Sequence, residues 1–250
     1  MKKIALLLAF IMVAVGAWAS EEADSVTVQR EYLPSDYVPG DWSVGFHAGV
    51  GGLFSSGDIA DGFSSAFTFN AGLSAGYRRF VVEGRFLYGS PSIESPNITG
   101  AVDADGVAYH ANINSANMFG AGANVGFTVV DYDRFSVTPW IGGMWTTCRW
   151  TARPMQENSE GVLTQLGEQR NMSVEDFNLA FGVNFEWHFA RTETDVALFG
   201  SDGQEYTSSV RLSPYMIKCS YSDAHPELSG WQIGVSVAYT GVLRALGIKY

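Results

Sequence analysis

Phe177 to Phe189 reads FNLAFGVNFEWHF. The odd positions carry Phe177, Leu179, Phe181, Val183, Phe185, Trp187 and Phe189, and the even ones Asn178, Ala180, Gly182, Asn184, Glu186 and His188. Strict period two defines a strand with one bulky apolar face and one small or polar face. What it leaves open is which face points outward.

Working outward from this stretch, the same alternation recurs. It predicts strands from Trp42 to Gly52, Phe67 to Tyr77, Phe80 to Tyr88, Phe119 to Val129, Phe135 to Thr146 and Trp231 to Thr240. Arg78 and Arg79 leave room only for a tight hairpin turn between two of them. Pro139 has no N–H to donate and predicts a local break in its ladder. A seventh strand is expected between Ser209 and Tyr221, where Ser213-Pro214-Tyr215 repeats the form of Thr138-Pro139-Trp140, but its facing is not readable. The total is eight strands, with Arg191–Ser208 long enough to hide a further hairpin. Long polar loops are expected over Gly89–Ser115 and Thr147–Glu175.

Composition agrees with many short strands. The 250 residues are 46% hydrophobic, 14% aromatic and only 16% charged, with 28 glycines. A net charge of −11 argues against a nucleic-acid partner, which calls for clustered Lys and Arg. Residues 1–19 read as a secretory signal peptide: Lys2 and Lys3, an apolar run from Ile4 to Gly16, and Ala17-Trp18-Ala19 as the cleavage site. Its removal leaves 15 − 2 = 13 basic residues against 26 acidic ones, a charge of −13. Residues 20–40 form an acidic lead-in, read as mobile and periplasmic, and residues 41–250 the β-domain. No later stretch is apolar for long enough to cross a bilayer as a helix, so any membrane is crossed by a closed barrel.

The two faces settle the orientation. A soluble barrel carries apolar groups inside and charges outside, and a membrane barrel the reverse. Here the non-apolar face is mostly Gly, Ser, Ala, Asn and Thr, a poor aqueous exterior and a good filling for a narrow lumen. The large side chains of the other face are also too many for an eight-stranded interior. Turned outward they form an apolar band, with Trp42, Tyr77, Tyr88, Trp145, Trp187 and Tyr239 placed as interfacial aromatics. The expected fold is an all-β, eight-stranded, antiparallel, up-and-down transmembrane β-barrel.

From Trp42 to about Val242 the chain resembles the small outer-membrane barrels of the OmpX and OmpA-transmembrane-domain type, by signal peptide, alternation and loop asymmetry. The resemblance implies export to the outer membrane, lipid and lipopolysaccharide as surroundings, and insertion by the barrel assembly machinery. It also implies outward loops available to host or neighbouring cells. Such barrels usually end on an aromatic residue, but Tyr250 has the opposite parity to Trp231 through Tyr239, so a bulge intervenes or Leu243–Tyr250 is a tail.

Facing inward, Glu83, Arg85, Glu186, His188 and His47 are expected to form a lumen charge network, since buried charges need partners. Some barrels of this kind modify lipid A with a His and a Ser two apart on a strand. Here His188 is followed by Ala190, His47 by Gly49 and His110 by Asn112, and His225 precedes Pro226 and Glu227. No catalytic residue is assigned, and the protein is read as a non-enzyme. Asp103-Ala104-Asp105-Gly106 lacks the terminal Glu of a calcium loop, and Asn97-Ile98-Thr99 is read as a chance triplet, so no metal or cofactor is expected. Cys148 and Cys219, an even pair in an exported chain, are a candidate disulfide, but one strand between them puts their backbones about 10 Å apart. The functional expectation is envelope structure with surface contacts through the loops. A narrow porin-like pore for small apolar molecules and a lipid A-modifying enzyme are the alternatives.

Overall fold

A computed structural model describes residues 37–93, 108–111, 116–157, 163–165, 167–194, 203–220 and 229–248. The signal peptide, most of the lead-in, Asn97–Thr99, Asp103–Gly106, His225 and Tyr250 lie outside these residues.

Eight long strands run β1 Tyr37–Ser56, β2 Phe63–Tyr77, β3 Phe80–Ile93, β4 Asn117–Phe127, β5 Phe135–Glu157, β6 Arg170–Thr194, β7 Gly203–Cys219 and β8 Gly230–Ile248. Each pairs antiparallel with its sequence neighbours, and β8 pairs with β1 over nearly its whole length, which closes the ring. Closure gives every strand two partners and removes the edges that an open sheet would expose. A single-turn helix, α1 Ile59–Gly62, joins β1 to β2. Short strands at Ala108–Ala111, Val130–Tyr132 and Leu163–Gln165 all pair with β5.

The alternation has the predicted hand: Phe67, Leu73, Phe80, Ile141, Phe177 and Trp187 stand outside, while Thr68, Asn70, Glu83, Thr138, Asn178 and Ser236 are buried inside. Aromatic contacts gather in two belts. Trp42 meets Tyr77 at 4.8 Å and Phe135 meets Trp187 at 4.9 Å toward the short-turn end, where Tyr239 also lies against Phe46. Tyr88 meets Phe119 at 5.1 Å toward the loop end, near Trp145. Five of the six predicted interfacial aromatics are exposed; Tyr88 is half-buried and donates its hydroxyl to Asn117 Oδ1 at 3.0 Å.

Several boundaries differ from the sequence reading. The lead-in ends earlier, because Tyr37–Gly40 already belong to β1. β7 starts at Gly203, and its odd residues face inward. Arg191–Thr194 pair directly with Gln204–Thr207, so the described part of Arg191–Ser208 extends one hairpin and adds none. Leu243–Ile248 is strand rather than tail, in unbroken register with β7 as far as Gly203↔Leu246. The irregularity sits opposite, on β1, where four steps from Pro39 to Ser43 face two from Leu246 to Arg244. Phe189 is bulged out of the β6–β7 ladder.

The largest correction concerns Thr147–Glu175. Most of this expected loop is strand, paired from Thr147↔Glu175 through Ala152↔Arg170. β5 and β6 have 23 and 25 residues, more than twice the roughly 9–11 that a tilted spanning strand needs, so their outer halves stand clear of the bilayer.

Candidate functional site

The candidate site is the lumen, which is filled in three levels. Nearest the short turns is a charge network. Glu83 Oε1 accepts from Arg85 Nη2 at 2.8 Å, from Arg85 Nε at 3.1 Å and from Asn124 Nδ2 at 3.3 Å. Its second oxygen accepts from Arg211 Nη1 at 2.6 Å, and Arg211 Nε reaches Glu186 Oε1 at 2.7 Å. His47 Nδ1 stands 3.2 Å from Arg211 Nη1 and 3.4 Å from Glu83 Oε2. Two carboxylates thus face two guanidiniums, so their formal charges balance. Such balance is what a poorly hydrated interior requires, because an uncompensated ion there costs several kcal/mol.

Five strands converge on this cluster: β1 supplies His47, β3 Glu83 and Arg85, β4 Asn124, β6 Glu186 and β7 Arg211. His188 is not among its hydrogen-bonded members, contrary to the sequence expectation. It lies further toward the turns, with Nδ1 2.7 Å from Ser209 Oγ. That is a nucleophile-to-base distance, but Ser209 is fully buried and points into the lumen, away from the lipid side where acyl chains would arrive.

The middle level is aromatic. The guanidinium of Arg85 lies 4.3 Å from the Trp140 ring centre and 5.9 Å from that of Tyr215. Both rings follow a proline, Pro139 and Pro214, whose side chains point outward while the next residue turns in. At Pro139 the β4–β5 ladder stops at Gly126↔Trp140 and resumes at Val130↔Val137, four steps on β4's side against three on β5. The rings also need bare backbone beside them. A Cβ on Gly182 would come 2.8 Å from Trp140 Cζ2, and one on Gly234 would come 2.1 Å from Tyr215 Cζ. The small residues of the lumen face are there to admit these few large ones.

The third level, toward the loops, is an apolar cap of Leu53, Phe63, Leu87, Met118, Cys148, Trp150 and Ile217. Phe63 and Trp150 meet edge to face at 5.8 Å. The candidate disulfide is corrected here: Cys148 and Cys219 are both buried thiols. Besides the strand between them, they are offset along β6, since Cys148 pairs with Val174 and Lys218 with Leu179. Cys219 Sγ donates to Gln232 Oε1 at 3.3 Å.

Arg211, Asn124, Trp140 and Tyr215 are the lumen residues that sequence reasoning missed. A signal for Arg211 was present: Thr207, Ser209, Arg211 and Ser213 keep the polar parity of the other strands, and Glu83 and Glu186 together call for a second cation. Among the described residues no cluster of His, Cys, Asp and Glu is arranged to hold a metal.

No protein-family model and no curated protein matches the chain. Among solved structures it is similar to Neisserial surface protein A, at 13% identity and a TM-score of 0.35, covering 83% of this chain and 98% of that one. The attachment invasion locus protein of Yersinia pestis, in complex with sucrose octasulfate, matches at 12% identity and a TM-score of 0.39, over 82% and 99% of the two chains. The N-terminal β-barrel domain of OprF from Pseudomonas aeruginosa matches at 10% and 0.30, over 81% and 99%. Likeness at this level carries no residue across, and the architecture rests on the ring itself. By its closed antiparallel register, its outward apolar band and its filled interior, the chain has the architecture of an eight-stranded, up-and-down transmembrane β-barrel.

Proposed function

We propose that this protein is exported by its residue 1–19 signal to the outer membrane, where it is a sealed, non-enzymatic barrel serving envelope structure, with its loop end as a contact surface. The observation that supports this reading is the three-level filling of the lumen. A conducting pore needs a continuous polar path, and here the charge network is followed by the Trp140 and Tyr215 rings and then by an apolar cap. The projecting β5–β6 hairpin supplies the contact surface, because its outer face is polar and its inner face is anchored in the cap. Lipid and lipopolysaccharide are the partners of the outward band, and the barrel assembly machinery is the partner in insertion. A lipid A-modifying role finds little support, since the Ser209–His188 contact faces inward.

Two measurements test the proposal. Protein recovered from the outer-membrane fraction should run faster on SDS gels unheated than heated, the behaviour of a closed barrel. In planar bilayers it should give no steady conductance steps. Regular steps would overturn the sealed reading, and recovery from the soluble periplasm without detergent would overturn the membrane reading altogether.

A further inference from the structure

The middle level of the lumen is built like a binding site for a planar cation. Arg85 is 8% exposed, yet it is not simply wedged in place. Its guanidinium is recognised on three sides: Glu83 Oε1 accepts from both Nε and Nη2, the Trp140 ring covers it at 4.3 Å, and the Tyr215 ring approaches at 5.9 Å. One carboxylate oxygen accepting from two N–H groups of the cation, with an aromatic face over its central carbon, is how a free guanidinium would be selected.

We infer that the lumen contains a guanidinium-binding site, formed by Glu83, Trp140 and Tyr215, which the chain occupies with its own Arg85. Arg85 then acts as a tethered ligand that closes the barrel at mid-height. The supporting elements belong to three different strands: Glu83 sits on Arg85's own strand, Trp140 is held over Gly182 and Tyr215 over Gly234. The site is therefore set by the ring of strands and survives removal of its occupant. Arg211 provides the internal contrast. It bridges Glu83 and Glu186 and meets His47 Nδ1 edge-on at 3.2 Å, with no cation–π contact among the described residues.

The test is chemical rescue. Arg85→Ala protein is refolded into detergent with guanidinium sulfate at non-denaturing concentration or with sodium sulfate, and the temperature at which the fast-running band converts to the slow one is read. Arg85→Ala should lower that midpoint, guanidinium should return most of the loss, and sodium should not. Arg85→Lys should stay close to Arg85→Ala, because an ammonium cannot both present two parallel N–H groups to Glu83 Oε1 and lay a flat face on the ring. Arg85→Ala combined with Trp140→Leu should lose the rescue. Where Arg85→Ala alone does not fold, refolding yield with and without guanidinium is the readout, and the same direction is expected. Equal effects of guanidinium and sodium, no loss on Arg85→Ala, or rescue that persists after Trp140→Leu would each overturn the site.

Discussion

β5 and β6 can be divided at the Trp145↔Phe177 pair into two regions with opposite rules. Turnward of that pair, Ile141, Leu179 and Trp187 stand outside and Asn178, Asn184 and Glu186 face in. Loopward of it, Arg149, Arg153, Asn171, Ser173 and Glu175 stand outside, while Cys148, Trp150, Ala152 and Val174 are buried within. The ladder runs through the boundary without a register shift, so each residue keeps the facing that its parity dictates. Only the solvent has changed. In the lower region the outside is hydrocarbon and the inside must satisfy polar groups; in the upper region the outside is water and the inside can be an ordinary apolar core. The inversion marks where the lipid ends, not where the strand ends.

The comparison is most severely strained from below, at Arg211. Arg211→Ala takes one of two guanidiniums from buried Glu83 and strands half-buried Glu186, and should cost about 3–5 kcal/mol, measured as the urea midpoint of reversible folding in detergent. A change under 1 kcal/mol would mean the lower lumen is wet. Above the boundary, Trp150→Ala removes a fully enclosed side chain from the cap and should cost about 3–5 kcal/mol by the same assay. If the upper region were a loose loop, the loss would be near zero.

The outer face offers a finer pair of tests. Leu73 is 73% exposed within the apolar band, and Leu73→Arg should destabilise the barrel by about 2–4 kcal/mol in lipid. Ser173→Arg, also on an outward position but loopward of Phe177, should change stability by no more than about 0.5 kcal/mol. Equal penalties at the two sites would show that the boundary is misplaced.

These two regions also explain which parts of the molecule were legible in advance. Where strands are bathed in lipid, the outward face must be apolar at every second position: Phe177–Phe189 alone reads as strand, and the small, weakly charged second face it shares with the other strands sets the facing. Once β5 and β6 rise into water, Thr147, Arg149 and Thr151 read like a loop, although Cys148, Trp150 and Ala152 keep the period. In the sequence, the end of the apolar band looks like the end of the strand. β7 was obscure for a related reason: Ser208 and Pro214 interrupt its outer face, while Tyr215 and Ile217 put bulk on its inner one.

The chain's own order of residues determined that this is a membrane barrel of eight strands, which positions face in on every strand but β7, and that Glu83, Arg85, Glu186 and His47 share one interior. Period-two parity is local, so it can be read along a single strand. Which of those interior groups touch was decided only by closure of the ring. Shear between strands brings Arg211 to Glu83 across 211 − 83 = 128 residues of sequence, carries His188 off to Ser209, and sets Cys148 and Cys219 out of reach of each other. Contacts across a lumen depend on the register of every intervening ladder, and register is a property of the whole ring that no single strand contains.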